Sequence, residues 1–259
     1  MSRIPEAFAH GKAFVAFITC GDPDLQTTEE AVLAAAENGA DLIELGIPFS
    51  DPTAEGPVIQ AANMRALSGG VTTDRILDFA ASLRQRTTVP MVFMTYANVL
   101  FSYGSEDFIR TSRDIGIDGF IIPDIPFEEK AEFDGFCKAY DRDLISMIAP
   151  TSEDRISMIA REASGFLYCV SSLGVTGTRG AITTDVGAMV RTAKKAQDIP
   201  CAVGFGISGP DQAAAMAAVS DGAIVGSAIM KIIAQQKPDT AGEVYRFVKE
   251  LKDAVRSVQ

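Results

Sequence analysis

The chain of 259 residues has a single histidine, His10, which lies in the N-terminal segment ahead of the first apolar run. Histidine is the side chain that most readily exchanges protons near neutrality, and one placed there is expected to face solvent. Acid–base chemistry is then left to carboxylates, tyrosine or lysine. Cysteine is also scarce. Cys20, Cys137, Cys169 and Cys201 are far apart and form no C-x-x-C pair, a pattern that argues against a metal knuckle or a disulfide framework and for reduced, buried thiols. Positive charge is short: 23 lysines and arginines stand against 34 acids, for a formal net charge of -11. A nucleic-acid partner is disfavoured, because phosphate-backbone affinity rests on clustered Lys and Arg. An anionic small substrate would need a local site built from backbone dipoles. Long apolar runs are missing too. The longest uncharged stretches, such as 88–105, which is interrupted by Pro90, Asn98 and Gly104, fall short of the roughly 20 continuous apolar residues of a membrane span. The opening MSRIPEAFAHGK has no apolar signal core followed by small residues, so a cytoplasmic location is expected. With no linker, low-complexity tract or shift of composition, residues 1–259 are expected to form one domain.

The chain is 47% hydrophobic and 22% charged, as in ordinary globular proteins. Short runs rich in Val, Ile and Phe recur with helical stretches between them. Strands are expected at 13–19, 41–45, 90–96, 119–124, 143–149, 165–171, 200–205 and 222–226. Most are continuously apolar, as strands buried on both faces are. Helices are expected near 57–67, 73–86, 105–115, 127–139, 153–163, 184–197, 209–218 and 239–256, with a short extra one at 2–9. Thr27 with Glu30 reads as a capping box ahead of EEAVLAAAENG, and Gly39 as the stop of that helix. Eight strand–helix units in about 250 residues most simply close into an α/β fold of the (β/α)8 TIM-barrel type. An extra N-terminal helix and a short helix after strand 8 complete the expected architecture. An open doubly wound sheet has the same alternation.

In both folds chemistry belongs at the C-terminal ends of the strands, and polar residues and glycines concentrate there: Gly21-Asp22, Glu44, Tyr96 to Asn98, Asp124, Pro150, Ser171, Gly204 to Gly206, and Gly226-Ser227. VGFGISGP (203–210) leaves strand 7 through glycines that let a ligand approach the backbone, and GSAIMKII (226–233) opens the short helix after strand 8 with Gly226 and Ser227 at its N-terminus. Free N–H groups and the helix dipole there suit a phosphate. The segment 171–185, rich in glycine and hydroxyl residues, suits a loop that closes over a ligand, with Thr176 and Gly177 as its expected contacts. Glu44 interrupts the apolar DLIEL. A carboxylate so placed points outward, pairs with a cation, or sits in the barrel mouth with a raised pKa, where it can give and take protons.

Seven motifs, FVAFITCGDPD (14–24), ADLIELGIPFSDPTAEGPVIQ (40–60), MTYANVLF (94–101), GFIIPDIP (119–126), SSLGVTG (171–177), GFGIS (204–208) and GSAIMKII (226–233), occur in an order that resembles the tryptophan synthase alpha subunit family along nearly the whole chain. The resemblance implies a TIM-barrel lyase that cleaves indole-3-glycerol phosphate to indole and glyceraldehyde 3-phosphate without cofactor or metal. It implies Glu44 as the proton-transfer acid and Glu55 as the carboxylate at the indole N–H. The family usually has aspartate at that second position, in A-D-G, where this chain has A-E-G. Phe17, Met94, Tyr96, Ile121, Ile148, Tyr168 and Phe205 are implied at the substrate's ring. Gly177, Gly206, Gly226 and Ser227 are implied at its phosphate, with Thr176 positioning Glu44 or the closed loop. Asp51 and Pro52 are implied at the contact with a beta subunit, in an expected heterotetramer of two alpha and two beta chains. Two other readings stand beside this one. The Glu55 departure suggests a catalytically weak alpha-type partner that mainly activates a beta subunit. The glycines of strands 7 and 8 alone would also fit another phosphate-binding barrel, such as an isomerase.

Overall fold

The computed structural model describes residues 1–171, 185–204 and 206–258. In chain order the elements are α1 (Ile4–Phe8), β1 (Ala13–Thr19), α2 (Leu25–Glu37), β2 (Leu42–Gly46), α3 (Pro57–Ser68), α4 (Thr73–Arg84), β3 (Met91–Met94), α5 (Ala97–Tyr103), α6 (Ser105–Asp114) and β4 (Gly119–Ile121). A 3-10 turn (Phe127–Glu129) leads to α7 (Ala131–Ala139), β5 (Asp143–Ile148), α8 (Glu153–Arg161), β6 (Leu167–Val170), α9 (Val186–Ala196), β7 (Cys201–Gly204), α10 (Pro210–Ala218), β8 (Gly222–Val225), α11 (Ser227–Ile233) and α12 (Thr240–Arg256). All neighbouring strands are parallel, and β8 returns to β1 with Ala13 to Ala16 in register with Gly222 to Val225. The sheet is therefore a closed (β/α)8 barrel, and the open-sheet alternative is excluded.

Apolar strands close this way because alternate side chains fill two different cores. On β3 and β4 the outward Phe93 and Phe120 pack with Phe108 of α6, at ring separations of 6.0 and 5.9 Å. On β6 and β7 the outward Leu167, Cys169, Cys201 and Val203 form a separate cluster with α8 and α9. The inward set includes Phe17, Glu44, Met94 and Tyr168. All four cysteines are buried and unpaired, and His10 is exposed, as expected. Among the described residues no helix is long and apolar enough to cross a membrane.

Three local expectations need correction. The cap of α2 is Asp24, whose carboxylate accepts from Thr27 N at 2.7 Å, so the helix starts earlier than the Thr27–Glu30 pair suggested. Thr28 instead holds the β1–α2 loop: its hydroxyl accepts from Gly21 N at 2.9 Å and donates to Asp24 O at 2.8 Å. Residues after Met94, read as the end of a strand, turn at once into α5. β4 stops at Ile121, which leaves Asp124 in the loop beyond it.

The N-terminal end of the barrel is held by a buried charge cluster. Asp118, fully buried just before β4, accepts from Arg3 N (3.0 Å), Arg3 Nε (3.2 Å) and Met91 N (3.0 Å). Arg84 and Arg142 approach it at 3.9 and 3.8 Å. One carboxylate thus ties together the segments before α1, β3, β4 and β5.

Candidate active site

Apolar packing alone does not explain Glu44, because strand alternation on β2 presents Leu42, Glu44 and Gly46 to the barrel interior. It stands in register with Phe17 of β1 and Val92 of β3. Its side chain is fully buried, and neither carboxylate oxygen has a hydrogen-bond partner among the described residues. Burial, with a smaller contribution from the charge of Glu55, pushes its pKa up to about 8. A carboxyl in that range carries its proton near neutrality and can donate it.

Glu55 comes from the loop before α3 and lines the same cavity. Burial raises its pKa, a donated hydrogen bond from Tyr96 lowers it, and the charge of Asp124 raises it. The Tyr96 hydroxyl donates to Glu55 Oε2 and accepts from Ala54 N at 3.0 Å. The Tyr96 ring stacks on Phe49 with centroids 5.0 Å apart. Gln60 Nε2 donates to the Glu55 carbonyl at 2.8 Å, fixing the entry to α3.

The cavity between these acids is walled by Phe17, Ile59, Met94, Tyr168, Ile207 and Ile224, with Gly206, Gly226 and Ser227 on its rim, and has about 450 Å³ of space counting its open mouth. Its lining is mostly apolar with a few placed polar groups, as in small-molecule sites. Phe17 fits because its neighbours are glycines. A Cβ on Gly46 would lie 2.6 Å from Phe17 Cζ, and one on Gly226 would lie 2.9 Å from Phe17 Cδ1. Gly204 does the same for Tyr168, whose hydroxyl would be 2.5 Å from an added Cβ. Gly206 has φ +86, a left-handed conformation that favours glycine. Gly226 precedes α11 and Ser227 is its first residue, so the free N–H groups of that helix start beside the cavity.

The expected residues therefore divide. Glu44, Glu55, Phe17, Met94, Tyr168, Gly206, Gly226 and Ser227 come together around one cavity. Tyr96 does not line it and instead holds Glu55 from behind. Ile121 is fully buried opposite Met94 and also does not line it. Ile148 corrects its expectation: it packs with Ile156 and Ile159 of α8 in the outer cluster, because strand alternation turns it away from the barrel interior. Thr176, Gly177 and Phe205 lie outside the described residues. Asp51 is exposed and Pro52 half-buried in the β2–α3 loop. Ile59, Ile207 and Ile224 were missed. Each sits inside or beside a noted motif, yet a single isoleucine carries no sign of which core it joins.

A family model described as tryptophan synthase alpha chain matches residues 7–256. The chain belongs to this family. The tryptophan synthase alpha chain of Lacticaseibacillus casei is 44% identical over 255 residues, covering 98% of this chain and 96% of that one. The alpha chain of Lactiplantibacillus plantarum is 47% identical over 242 residues, covering 93% and 92%. Among solved structures, the tryptophan synthase alpha subunit of Legionella pneumophila superposes with a TM-score of 0.90 at 33% identity, with 99% of each chain covered. Tryptophan synthase of Mycobacterium tuberculosis gives 0.90 at 31% identity, with 98% of each covered. A tryptophan synthase alpha chain reading makes sense of a cavity with two carboxyls, an apolar wall and a rim of glycines and a helix start.

Proposed function

We propose that this chain cleaves indole-3-glycerol phosphate to indole and glyceraldehyde 3-phosphate, the lyase reaction of tryptophan synthase alpha chains. The observation that carries the reading is the fully buried Glu44, with no hydrogen-bond partner among the described residues and its pKa pushed up to about 8, facing a cavity that Glu55 also enters. Glu44 in its acid form gives a proton to C3 of the indole ring, leaving positive charge on the ring nitrogen side. Glu55, as carboxylate, accepts from the indole N–H and stabilises that charge. Loss of the proton from the hydroxyl on the first side-chain carbon, taken by the now ionised Glu44, drives the electrons of the carbon–carbon bond into the ring. The bond breaks, the side chain leaves as the aldehyde, and the proton count is restored.

The ring is proposed to lie against Phe17, Met94 and Tyr168, and the phosphate at Gly206, Gly226 and Ser227, where N–H groups and the start of α11 face the cavity. Thr176, Gly177 and Phe205 are proposed to complete the site. The Glu55 position supports a working enzyme over a weak partner, because the longer side chain still brings its carboxylate to the cavity wall, where Tyr96 holds it. A beta subunit partner follows from the family. The α2β2 assembly, the contact through Asp51 and Pro52, and a cytoplasmic location are proposed with it.

Steady-state indole release from indole-3-glycerol phosphate, with and without a beta subunit, tests the reading. Turnover lost on Glu44→Gln is the expected result. Equal turnover by the Gln variant, or none by the unaltered chain in either condition, would overturn it.

A further inference from the structure

Asp124 lies within the GFIIPDIP motif, yet neither the proposed chemistry nor the cavity wall uses it. Its side chain belongs to an exposed residue in the loop after β4, and both its oxygens accept from Ala97 N, at 3.1 and 3.3 Å. Ala97 is the first residue of α5, and Tyr96, its N-cap, supplies no side-chain cap of its own. Asp124 therefore caps a helix that begins on a different strand. What it fixes is the peptide that follows Tyr96.

From that peptide the contacts run in one direction. The Tyr96 ring stacks on Phe49 of the β2–α3 loop, and its hydroxyl accepts from Ala54 N at 3.0 Å and donates to Glu55. Three loops at the C-terminal end of the barrel, after β2, β3 and β4, are thus joined through a single tyrosine. If the Ala97 N–H lost its acceptor, the backbone of Tyr96 would be free to shift, and the carboxylate it holds would shift with it.

We propose that Asp124 is a positioning residue for Glu55, acting through the Ala97 N–H and Tyr96. The proposal rests on the reading of Glu55 as the carboxylate at the indole nitrogen. It also gives Asp124 an electrostatic effect. The groups around Glu55 among the described residues are Tyr96 after β3, Asp124 after β4 and Glu44 on β2, whose charge in turn acts on Tyr168 of β6. Of these, the charge of Asp124 raises the proton affinity of Glu55 and the Tyr96 hydroxyl lowers it.

The test compares Asp124→Asn and Asp124→Ala in the full chain. Asparagine keeps an oxygen for Ala97 N and removes the charge. Alanine removes both. Indole release by the Ala variant, assayed with a beta subunit, is expected to fall about ten- to a hundredfold in kcat, as for misplacement of a reacting group by about 1 Å, with a smaller change in KM. The Asn variant is expected to stay within about threefold of the unaltered chain in kcat. In both variants the acidic limb of kcat/KM moves to lower pH. A carbon-13 titration of the Glu55 carboxyl in the free chain reads the same effect without catalysis, so it stands even if the proposed reaction does not. An unmoved Glu55 midpoint in Asp124→Asn, or unaltered kcat in a folded Asp124→Ala, would overturn the proposal. Should the Ala variant fail to fold, the Asn titration decides.

Discussion

Tyr96 donates its hydroxyl proton to one oxygen of Glu55, 41 residues away in sequence, and accepts from Ala54 N with the same hydroxyl. The pair is buried, so removing the hydroxyl leaves a carboxylate in a poor solvent with one acceptor unfilled, at a cost of about 1–3 kcal/mol. Tyr96→Phe keeps the ring and its stacking on Phe49. It is expected to lower kcat for indole release about tenfold. Because the lost hydrogen bond had held the Glu55 pKa down, the acidic limb of the pH profile should move up. That direction is opposite to the one expected for Asp124→Asn, and pH–rate profiles of the two variants check both.

The charge state of Glu44 links catalysis to stability. Its folded pKa of about 8 lies above the ordinary 4.5, so the native chain binds a proton that the unfolded chain releases. The sign follows from linkage: this group's contribution is fully present below about pH 4.5 and is lost as pH rises to about 8, a difference on the order of a few kcal/mol. Glu44→Gln keeps the shape and carries no charge to bury. Denaturant unfolding at pH 5 and pH 9 should show the variant more stable than the unaltered chain at the higher pH, with the gap closing at the lower one. In the same window indole release by the unaltered chain should decline above about pH 8, as the donor proton is lost. An equal gap at both pH values would argue that Glu44 is already ionised in the fold.

Much of the barrel could be read from the chain because strands buried on both faces are written as continuous apolar runs, and all eight were found near their observed places. Ends were less legible. The cap was read at Thr27 with Glu30 and stands at Asp24, because both are good capping patterns and only the path of the β1–α2 loop selects between them. The strand expected at 90–96 stops at Met94, and a helix starts at Ala97, where Asp124 from another loop provides the cap. Glu44 was legible as a carboxylate in a buried strand. Ile148 was misplaced because a residue at a strand's end faces either core according to strand alternation, and its register against β6 is set by tertiary pairing. The grip of Tyr96 on Glu55, and the gathering of Arg3, Arg84 and Arg142 on Asp118, join distant segments and leave no local trace.

Gly46 is required by its neighbour rather than by its own turn. An added methyl would sit 2.6 Å from Phe17 Cζ and 2.8 Å from Cε2, and the ring has no retreat because Gly226 lies against its other edge. Gly46→Ala is expected to push Phe17 into the cavity, raising KM for indole-3-glycerol phosphate and lowering stability by about 1–3 kcal/mol, the usual effect of overpacking. Pairing it with Phe17→Leu, which frees the space, should recover part of the stability but not the ring contact. Thermal melting and steady-state kinetics of the single and double variants separate the two effects.

The Asp118 cluster lies at the opposite end of the barrel from the cavity and should affect stability alone. Asp118→Asn keeps an oxygen for Met91 N but leaves Arg3, Arg84 and Arg142 without the charge they converge on, and Arg84 Nη1 is already buried with no hydrogen-bond partner among the described residues. Breaking a buried ion pair by removing one partner costs about 3–5 kcal/mol, which for a chain of this size corresponds to a fall in Tm of roughly 6–20 °C. Burial and the nearby Arg3 lower the pKa of Arg84 to about 10, so its charge is held in the fold at a cost. Adding Arg84→Met to Asp118→Asn should therefore restore part of the lost stability. Indole release at 25 °C by the folded variants should match the unaltered chain, and a kcat that falls along with Tm would show that the two ends of the barrel are coupled.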